Sequence, residues 1–264
     1  MSYTPTEWND NDAVTSAKLN HLESGVTAVG YEPTTWQVGD VVTAEKLNKL
    51  EQGVADSADT MANYVNRTMT EFTITEDMKR YGRLSISAMF NFSECENLEK
   101  INGLDLINSF VGSPGFVSTK KLKEIYLLNA TSVGGSYDPD GTSLIASSGV
   151  ERFSAPKATE SYSQKSTLSG ANELQYLYLP SVNQMPKTQG SPKLKHVYIG
   201  KDCTSIDPGC FGGSGTQSTG LIIDCGFAEG SVSGAPWAAS NATINYNVPD
   251  PGSIEAMIEG ESDN

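Results

Sequence analysis

The side chains that could carry out chemistry are few and widely separated in this chain of 264 residues. The two histidines, His21 and His196, lie far apart, and neither stands in a nucleophile or metal-binding motif. The run from Asp138 to Gly141 resembles the start of a calcium-binding loop, but no glutamate follows at the spacing that closes an EF-hand. The glycine-rich run 212–215 lacks the lysine that would contact a phosphate. We therefore expect no catalytic residues, no metal site and no cofactor.

Charge and composition exclude further classes of function. The chain has 32 acidic residues against 18 basic ones and a net charge of −14, so we expect repulsion from nucleic acids and anionic membranes. No apolar run reaches the length of a membrane span, and the first residues resemble no signal peptide. These features predict no membrane insertion and folding in a cytoplasm. The cysteines show no metal-type spacing and are predicted to be buried free thiols; they are Cys95, Cys203, Cys210 and Cys225.

The N-terminal region contains a unit that is written twice. The pattern Tyr-x-Pro-Thr-x-Trp ends at Trp8 and again at Trp36, an offset of 28 residues. Thr15 and Thr43 follow at the same offset and are suited to cap a helix, because a hydroxyl oxygen can accept a free N–H of the first turn. The pattern predicts helix-turn-helix repeats, with a second helix over residues 44–69.

Apolar residues recur on these helices at helical spacing and form a narrow stripe. A narrow stripe on a long helix favours a coiled coil between copies of the chain. The alternative is a helix that packs on its own domain. The predicted oligomer interface consists of Leu19, Leu22, Val26, Leu47, Leu50, Val54 and Met61.

A second repeat fills residues 95–248. Its units open with an apolar-x-x-apolar-x-apolar strand, at steps of 20 to 28 residues, as in leucine-rich repeats. Each strand is followed by a returning apolar residue, at Val133, Ala158, Val182 and Ile206. We therefore predict an α+β chain: N-terminal helical repeats, then a leucine-rich-repeat β-solenoid with strands near 123–127, 151–155, 175–179 and 195–199.

Alternate strand positions in this repeat are rich in aromatic residues. Strict alternation predicts that the leucines and isoleucines are buried and that the tyrosines and His196 are exposed. Exposed tyrosines can bind sugars or a partner protein, or they can simply pair across neighbouring strands. The candidate binding face consists of Tyr126, Tyr176, Tyr178, His196 and Tyr198.

The chain therefore divides into four predicted regions. Residues 1–69 form the helical assembly and anchor region, 70–94 cap the solenoid, and 95–248 form the repeat domain. Residues 249–264 are acidic and contain prolines. This composition predicts a mobile tail with a short helix near 253–258.

The two repeats carry two resemblances. The segments 174–182 and 194–211 resemble the BspA-like leucine-rich repeat, which occurs in bacterial surface proteins and phage proteins. The doubled N-terminal unit resembles helix-turn-helix units of tailed-phage structural proteins, particularly trimeric head fibres. These resemblances imply a β-solenoid carried by a virion protein. The similarity to fibre proteins implies a homotrimer, with a dimer as the second choice.

The function that they imply is structural rather than enzymatic. The chain would be a head fibre or capsid-decorating appendage, assembled in the host cytoplasm and located on the virion. Its partners would be itself, the major capsid protein or other virion proteins, and a polymer of the host cell surface. The alternatives are a tail or baseplate fibre component, a bacterial surface adhesin with leucine-rich repeats, and a glycan-processing enzyme.

Overall fold

The computed structural model describes residues 15–23, 37, 43, 46, 49–50, 67–81, 84–86, 90–110, 115–133, 143–161, 168–214 and 220–262. Contacts between residues divide the chain into two compact units, Met1–Met69 and Thr70–Asn264.

The first unit shows the same helix cap twice. Helix α1 (Ser16–Glu23) follows Thr15, whose side-chain oxygen accepts the backbone N–H of Lys18 at 3.3 Å. Thr43 accepts the N–H of Lys46 in the same way, also at 3.3 Å. Both predicted caps are therefore present, at the offset of the sequence repeat.

The second predicted helix is described only in part. Lys46, Lys49 and Leu50 are helical, and most other positions of 44–69 lie outside the described residues. The prediction that this helix reaches residue 69 is wrong, because Arg67 has a left-handed φ of 59° and no helix includes residues 67–69. Leu19 and Leu50 are buried, whereas Val26, Leu47, Val54, Met61 and the side chain of Leu22 lie outside the described residues.

The second unit is a β-solenoid built from parallel strands. The strands are β1 (Glu71–Thr73), β2 (Ser85–Ile86), β3 (Lys100–Asn102), β4 (Ser109–Phe110), β5 (Glu124–Tyr126), β6 (Ser132–Val133), β7 (Arg152–Ser154), β8 (Glu160–Ser161), β9 (Tyr176–Leu179), β10 (His196–Ile199), β11 (Leu221–Cys225) and β12 (Ala242–Tyr246). One six-stranded sheet has the order β5-β7-β9-β10-β11-β12, one four-stranded sheet has the order β2-β4-β6-β8, and β1 pairs with β3.

Each coil also has a third side without strands. Here backbone groups of successive coils still pair, for example the N–H of Phe116 with the carbonyl of Leu144 at 2.8 Å, and the N–H of Ser118 with the carbonyl of Ala146 at 3.1 Å. Backbone bonds therefore join coils on this side as well as within the sheets, and each coil contributes to one continuous core.

The core confirms the predicted solenoid strands and their inward positions. The four predicted strands agree with β5, β7, β9 and β10 to within one residue at each end. Leu177, Leu179, Val197 and Ile199 are completely buried, as are the returning residues Val133, Ala158 and Val182, with Ile206 nearly so. All four cysteines are buried and free, as predicted.

The close spacing between coils leaves no room for a side chain at Gly200. A Cβ atom on Gly200 would overlap the carbonyl oxygen of Pro180 in the preceding coil. The N–H of Gly200 donates to the carbonyl of Leu179 at 3.2 Å, so the backbone must pass close to that coil. Only glycine permits this approach without displacing backbone.

The predicted cap, 70–94, supplies strands to the solenoid itself. β1 pairs with β3, β2 pairs with β4, and a 3₁₀ helix (Glu76–Tyr81) connects β1 to β2. Phe92 lies between Phe72 and Phe116, with ring centroids 5.2 and 5.6 Å away. This segment therefore forms a first coil, packed on the next through stacked aromatic rings.

The acidic C-terminal segment is ordered over residues 249–262, so the prediction of a mobile tail is wrong. Helix α2 (Ile254–Ser262) is longer than the short helix predicted near 253–258. Its start is set locally, since the Ser253 side chain accepts the N–H of Ala256 at 3.1 Å. Among the described residues, no helix is long and apolar enough to cross a membrane.

Candidate functional site

The structure aligns the side chains of the predicted binding face in rows across neighbouring strands. β9 and β10 pair so that Tyr176 lies beside His196 and Tyr178 lies beside Tyr198. The rings of Tyr178 and Tyr198 stack with centroids 5.7 Å apart. Because side chains of adjacent parallel strands align in rows, the sheet brings together aromatic residues that are 20 positions apart in sequence.

The prediction that this face is exposed is wrong for three of its five residues. Tyr178 and Tyr198 are each 2% exposed and His196 is 6% exposed. Tyr126 and Tyr176 are partly buried. The face is covered by residues 248–262 of the same chain, which we call the C-terminal clasp.

The clasp is held by an apolar cluster at its centre. Ile254 and Met257 of α2 are 2% and 4% exposed and pack with Tyr178 and Tyr198. Each buried side chain of this kind contributes about 1.5–3 kcal/mol from the hydrophobic effect. The apolar contact therefore contributes to the free energy that keeps α2 on the sheet.

Hydrogen bonds from the tyrosines fix the position of the clasp. The Tyr178 hydroxyl donates to a carboxylate oxygen of Asp250 at 2.6 Å, and the Tyr198 hydroxyl donates to the carbonyl of Val248 at 3.4 Å. Asp250 also accepts the N–H of Gly252 at 2.8 Å, which forms the turn before α2. The tyrosines thus serve as donors to a segment more than 40 residues downstream.

His196 lies between two carboxylates, one from the sheet and one from the clasp. Its Nε2 is 2.9 Å from Asp224 Oδ2 and its Nδ1 is 2.7 Å from Glu261 Oε1. Asn245 donates to the other oxygen of Asp224 at 2.7 Å. A histidine flanked by two ionised carboxylates donates from both nitrogens, so this geometry selects the imidazolium cation.

The pKa directions agree with this assignment. Burial alone would lower the pKa of His196, but the hydrogen bonds and charges of Asp224 and Glu261 outweigh it and raise that pKa. Burial alone would raise the pKa of Asp224, but its bonds to His196 and Asn245 lower it. The ion pair is therefore stable in its charged form, with the histidine side chain only 7% exposed.

The ring pattern limits the chemistry of the site. With both nitrogens bound to carboxylates, His196 has none left to accept a proton from a substrate. Burial raises the pKa of Tyr126 to about 12 and that of Tyr198 to about 12, which keeps both phenols neutral. The groups can hold a clasp in place, and their arrangement does not form a nucleophile with a base.

A groove of about 390 Å³ runs beside this ion pair, between the sheet and the clasp. Its lining includes Asp224 and Asn245 from the sheet and Pro249, Pro251 and Gly260 from the clasp. Within the described part of the chain, no group of three or more histidine, cysteine or acidic side chains could hold a metal ion.

Sequence reasoning missed the partners of the aromatic face. No role was predicted for Asp224, Asp250, Glu261, Ile254 or Met257. The segment from 249 onward was interpreted only from its charge and its prolines. One signal was available: Ile254, Met257 and Ile258 recur at helical spacing after a Ser N-cap. Such a stripe requires an apolar surface to cover, and the outward-facing tyrosines of the sheet provide one.

The comparisons with known proteins add no relative to this picture. No protein-family model matches the chain, and neither a curated protein nor a solved structure matches it.

Proposed function

We propose that this chain is a non-enzymatic virion protein of a tailed phage, an oligomeric head fibre or capsid-decorating appendage. Residues 1–69 assemble the chain through helix-turn-helix repeats and anchor it to the major capsid protein or another virion protein. The BspA-like leucine-rich repeats of the solenoid are displayed and aid adhesion to a polymer of the host surface.

The repeated N-terminal cap is the observation that carries the assembly role. Thr15 and Thr43 make the same side-chain to backbone bond at the repeat offset. A unit that repeats its helix start also repeats the apolar residues behind it, and Leu19 and Leu50 both belong to the predicted stripe. A repeated short amphipathic helix gains stability chiefly by packing against others. This supports an oligomer formed by the first unit.

The non-enzymatic role is supported by the His196 site. His196 is the histidine of the second unit, and both of its ring nitrogens are bound to carboxylates of the same chain. The cysteine thiols are buried, and burial raises the pKa of Cys203 to about 11 and that of Cys225 to about 12, which disfavours a thiolate nucleophile.

The adhesive role of the tyrosine face is revised by the clasp. Tyr178 and Tyr198 contact α2 and are not displayed to a host polymer while the clasp is docked. Tyr126 and Tyr176 are partly buried against the same cluster, and the Tyr176 hydroxyl donates to Glu261 of the clasp at 3.3 Å. Full use of this face by a partner requires displacement of the clasp.

The assembly proposal is tested on the full chain by multi-angle light scattering. We expect a trimer at micromolar concentration, and a monomer when Leu47→Asp and Leu50→Asp are combined, because unpaired carboxylates are costly to bury. Lys49→Glu, at an exposed helical position between them, is the matched control and should leave the trimer intact. A wild-type monomer would overturn the proposal.

The location is tested by labelling purified particles with an antibody against the solenoid. Label distributed over the head supports the fibre or decoration role. Label confined to the tail or baseplate would replace it with a tail-fibre role, and label on uninfected bacterial cells would replace it with a surface adhesin.

A further inference from the structure

One backbone ladder of the solenoid is interrupted at a single position. On the side of the six-stranded sheet, the coils that carry β3, β7, β9 and β10 each donate two successive N–H groups to one carbonyl of a neighbouring coil. Glu151 and Arg152 both donate to Lys123, at 2.8 and 3.1 Å. Glu99 and Lys100 both donate to Thr70, at 2.7 and 3.3 Å.

The corresponding bonds are missing between β3 and β5. By the repeat pattern, Lys123 and Glu124 would donate to the carbonyl of Glu99, and neither bond is formed. The sheets end accordingly, since β5 is the last strand of the six-stranded sheet and β3 the last of the pair β1-β3.

The same two coils remain joined on their other sides. The N–H of Thr131 donates to the carbonyl of Asn108 at 2.9 Å, and the N–H of Phe116 donates to the carbonyl of Leu144 at 2.8 Å. The coils therefore part on one side only. After β3 the chain forms a 3₁₀ helix (Leu104–Leu106). The Asn129 side chain donates to the backbone carbonyl of Asp105 in this helix at 2.8 Å.

The opening is a cleft of about 490 Å³. This volume is within the range of about 300–1,000 Å³ that is usual for ligand sites. Its apolar lining comprises Ile101, Leu104, Leu122, Tyr126 and Leu128. Leu128 is 47% exposed, the one large apolar side chain that is exposed among the described residues. The cleft thus combines an open strand edge with an exposed leucine.

Ladder geometry shows which backbone groups face the cleft. Lys123 accepts from Arg152 and Leu127 donates to Ser154 at 2.8 Å, so alternate residues of this stretch bond to β7. The residues between them, Glu124 and Tyr126, therefore direct N–H and C=O groups towards β3, where no described strand pairs with them. An open row of alternating donors and acceptors is complementary to an extended peptide backbone.

Charge specifies the peptide further. Three acidic residues line the cleft, Glu99, Asp105 and Glu124, against two lysines. Both lysines are paired with glutamates outside the lining, Lys100 with Glu71 at 3.5 Å and Lys123 with Glu151 at 2.7 Å. Two of the acids are likewise paired with cations outside it, Glu99 with Lys121 at 3.4 Å and Glu124 with Arg152 at 3.0 Å. Asp105 is therefore the source of the one excess negative charge in the lining. The lining therefore favours a ligand that carries positive charge.

We propose that the cleft between β3 and β5 binds an extended peptide of another protein by strand addition. The peptide backbone pairs with the edge of β5 at Glu124 and Tyr126. Side chains on one face of the added strand are apolar and contact Leu128, and side chains on the other face are basic. This site shares Tyr126 with the aromatic face, and it does not depend on the phage assignment.

The test uses the full chain and a labelled synthetic peptide of alternating lysine and valine. Fluorescence anisotropy should show saturable binding, and hydrogen exchange at the Glu124 and Tyr126 amides should slow when the peptide is added. The control peptide has the same side chains with methylated backbone nitrogens. It should bind at least about tenfold more weakly, since each lost hydrogen bond removes about 1 kcal/mol and several are lost.

Two variants locate the binding on the protein. Glu124→Pro removes an N–H that β7 does not use, which an edge strand tolerates, and it should weaken binding about tenfold. Glu124→Gln is its control, because it keeps the N–H, and it should weaken binding less than about threefold. Leu128→Asp alters an exposed side chain and should weaken binding about tenfold without change in thermal unfolding.

Three results would overturn the proposal. One is equal binding of the normal and methylated peptides, which would show that the backbone is not recognised. Another is slow exchange of the Glu124 and Tyr126 amides in the free protein, which would show that the chain itself closes the cleft. The third is the absence of binding at millimolar peptide, or binding that Leu128→Asp leaves unchanged.

Discussion

At the scale of single residues, His196 links the sheet to the clasp. The charged ring bonds to Asp224 within the sheet and to Glu261 at the end of α2. Glu261 is unfavourable to the helix dipole by its position in the last turn, and the imidazolium opposite it offsets that cost. Docking of the helix is therefore tied to the protonation of one side chain.

The pH dependence follows from the two pKa directions. His196 has a raised pKa when folded, so its contribution is complete below the unfolded value of about 6.5 and is lost as pH rises through the folded value. Asp224 has a lowered pKa, so its contribution is complete above about 3.9 and is lost as pH falls through the folded value. The clasp should be most stable between these limits.

We expect amide exchange in α2, corrected for the intrinsic effect of pH, to become faster from pH 6 to pH 9. His196→Gln should remove this pH dependence, and the clasp should then be weaker at pH 6. His21→Gln removes the other histidine of the chain and is the matched control. A pH dependence that persists in His196→Gln would contradict the role of this ring.

At the scale of elements, α2 is a short helix whose stability comes from the surface that it covers. Nine residues are too few for an isolated helix to be stable in water. Ile254 and Met257 contact Tyr178 and Tyr198, while Gly260 has no atom within 4 Å of the position of a Cβ. The apolar side of the helix is therefore held against the sheet, whereas Gly260 has room for a side chain.

Gly260→Ala should stabilise the clasp by about 0.5–1 kcal/mol, because alanine restricts the unfolded chain and fits without a clash. Met257→Ala should destabilise it by about 2 kcal/mol through loss of buried apolar area. Hydrogen exchange of α2 at pH 6 would measure both shifts. If Gly260→Ala accelerated exchange, the helix would not have the described backbone at this position.

At the scale of the whole second unit, the solenoid is joined by three backbone ladders, and the clasp crosses several coils of one sheet. It contacts side chains of β9 and β10 through α2 and the turn before it. The clasp therefore couples coils that otherwise interact only with their neighbours, and it covers an apolar surface that the sheet alone would expose to water.

A chain that ends at Val248 should keep the parallel strands and expose Tyr178 and Tyr198. We expect increased binding of the dye ANS, a loss of several kcal/mol in unfolding free energy and normal far-UV circular dichroism in the strand region. Ile254→Asp with Met257→Asp should reproduce these changes in the full-length chain. Unchanged ANS binding in both would mean that the face stays covered by another surface.

Much of the solenoid was determined by the sequence alone, because its rule is local. Alternation of apolar and polar residues specifies which strand positions point inward, so Leu177 and Val197 could be assigned to the core without a structure. The caps at Thr15 and Thr43 were predictable for the same reason, since a hydroxyl bonds to a backbone group three residues away.

The candidate site was decided only by the tertiary structure. Alternation identifies Tyr178 and His196 as outward-facing, but it does not state what lies outside the sheet. The covering residues, among them Asp250 and Glu261, are 72 and 65 positions further along the chain, and no local rule relates such distant residues. The interrupted ladder between β3 and β5 is likewise absent from the repeat pattern. It depends on whether two coils approach closely enough for their backbones to pair.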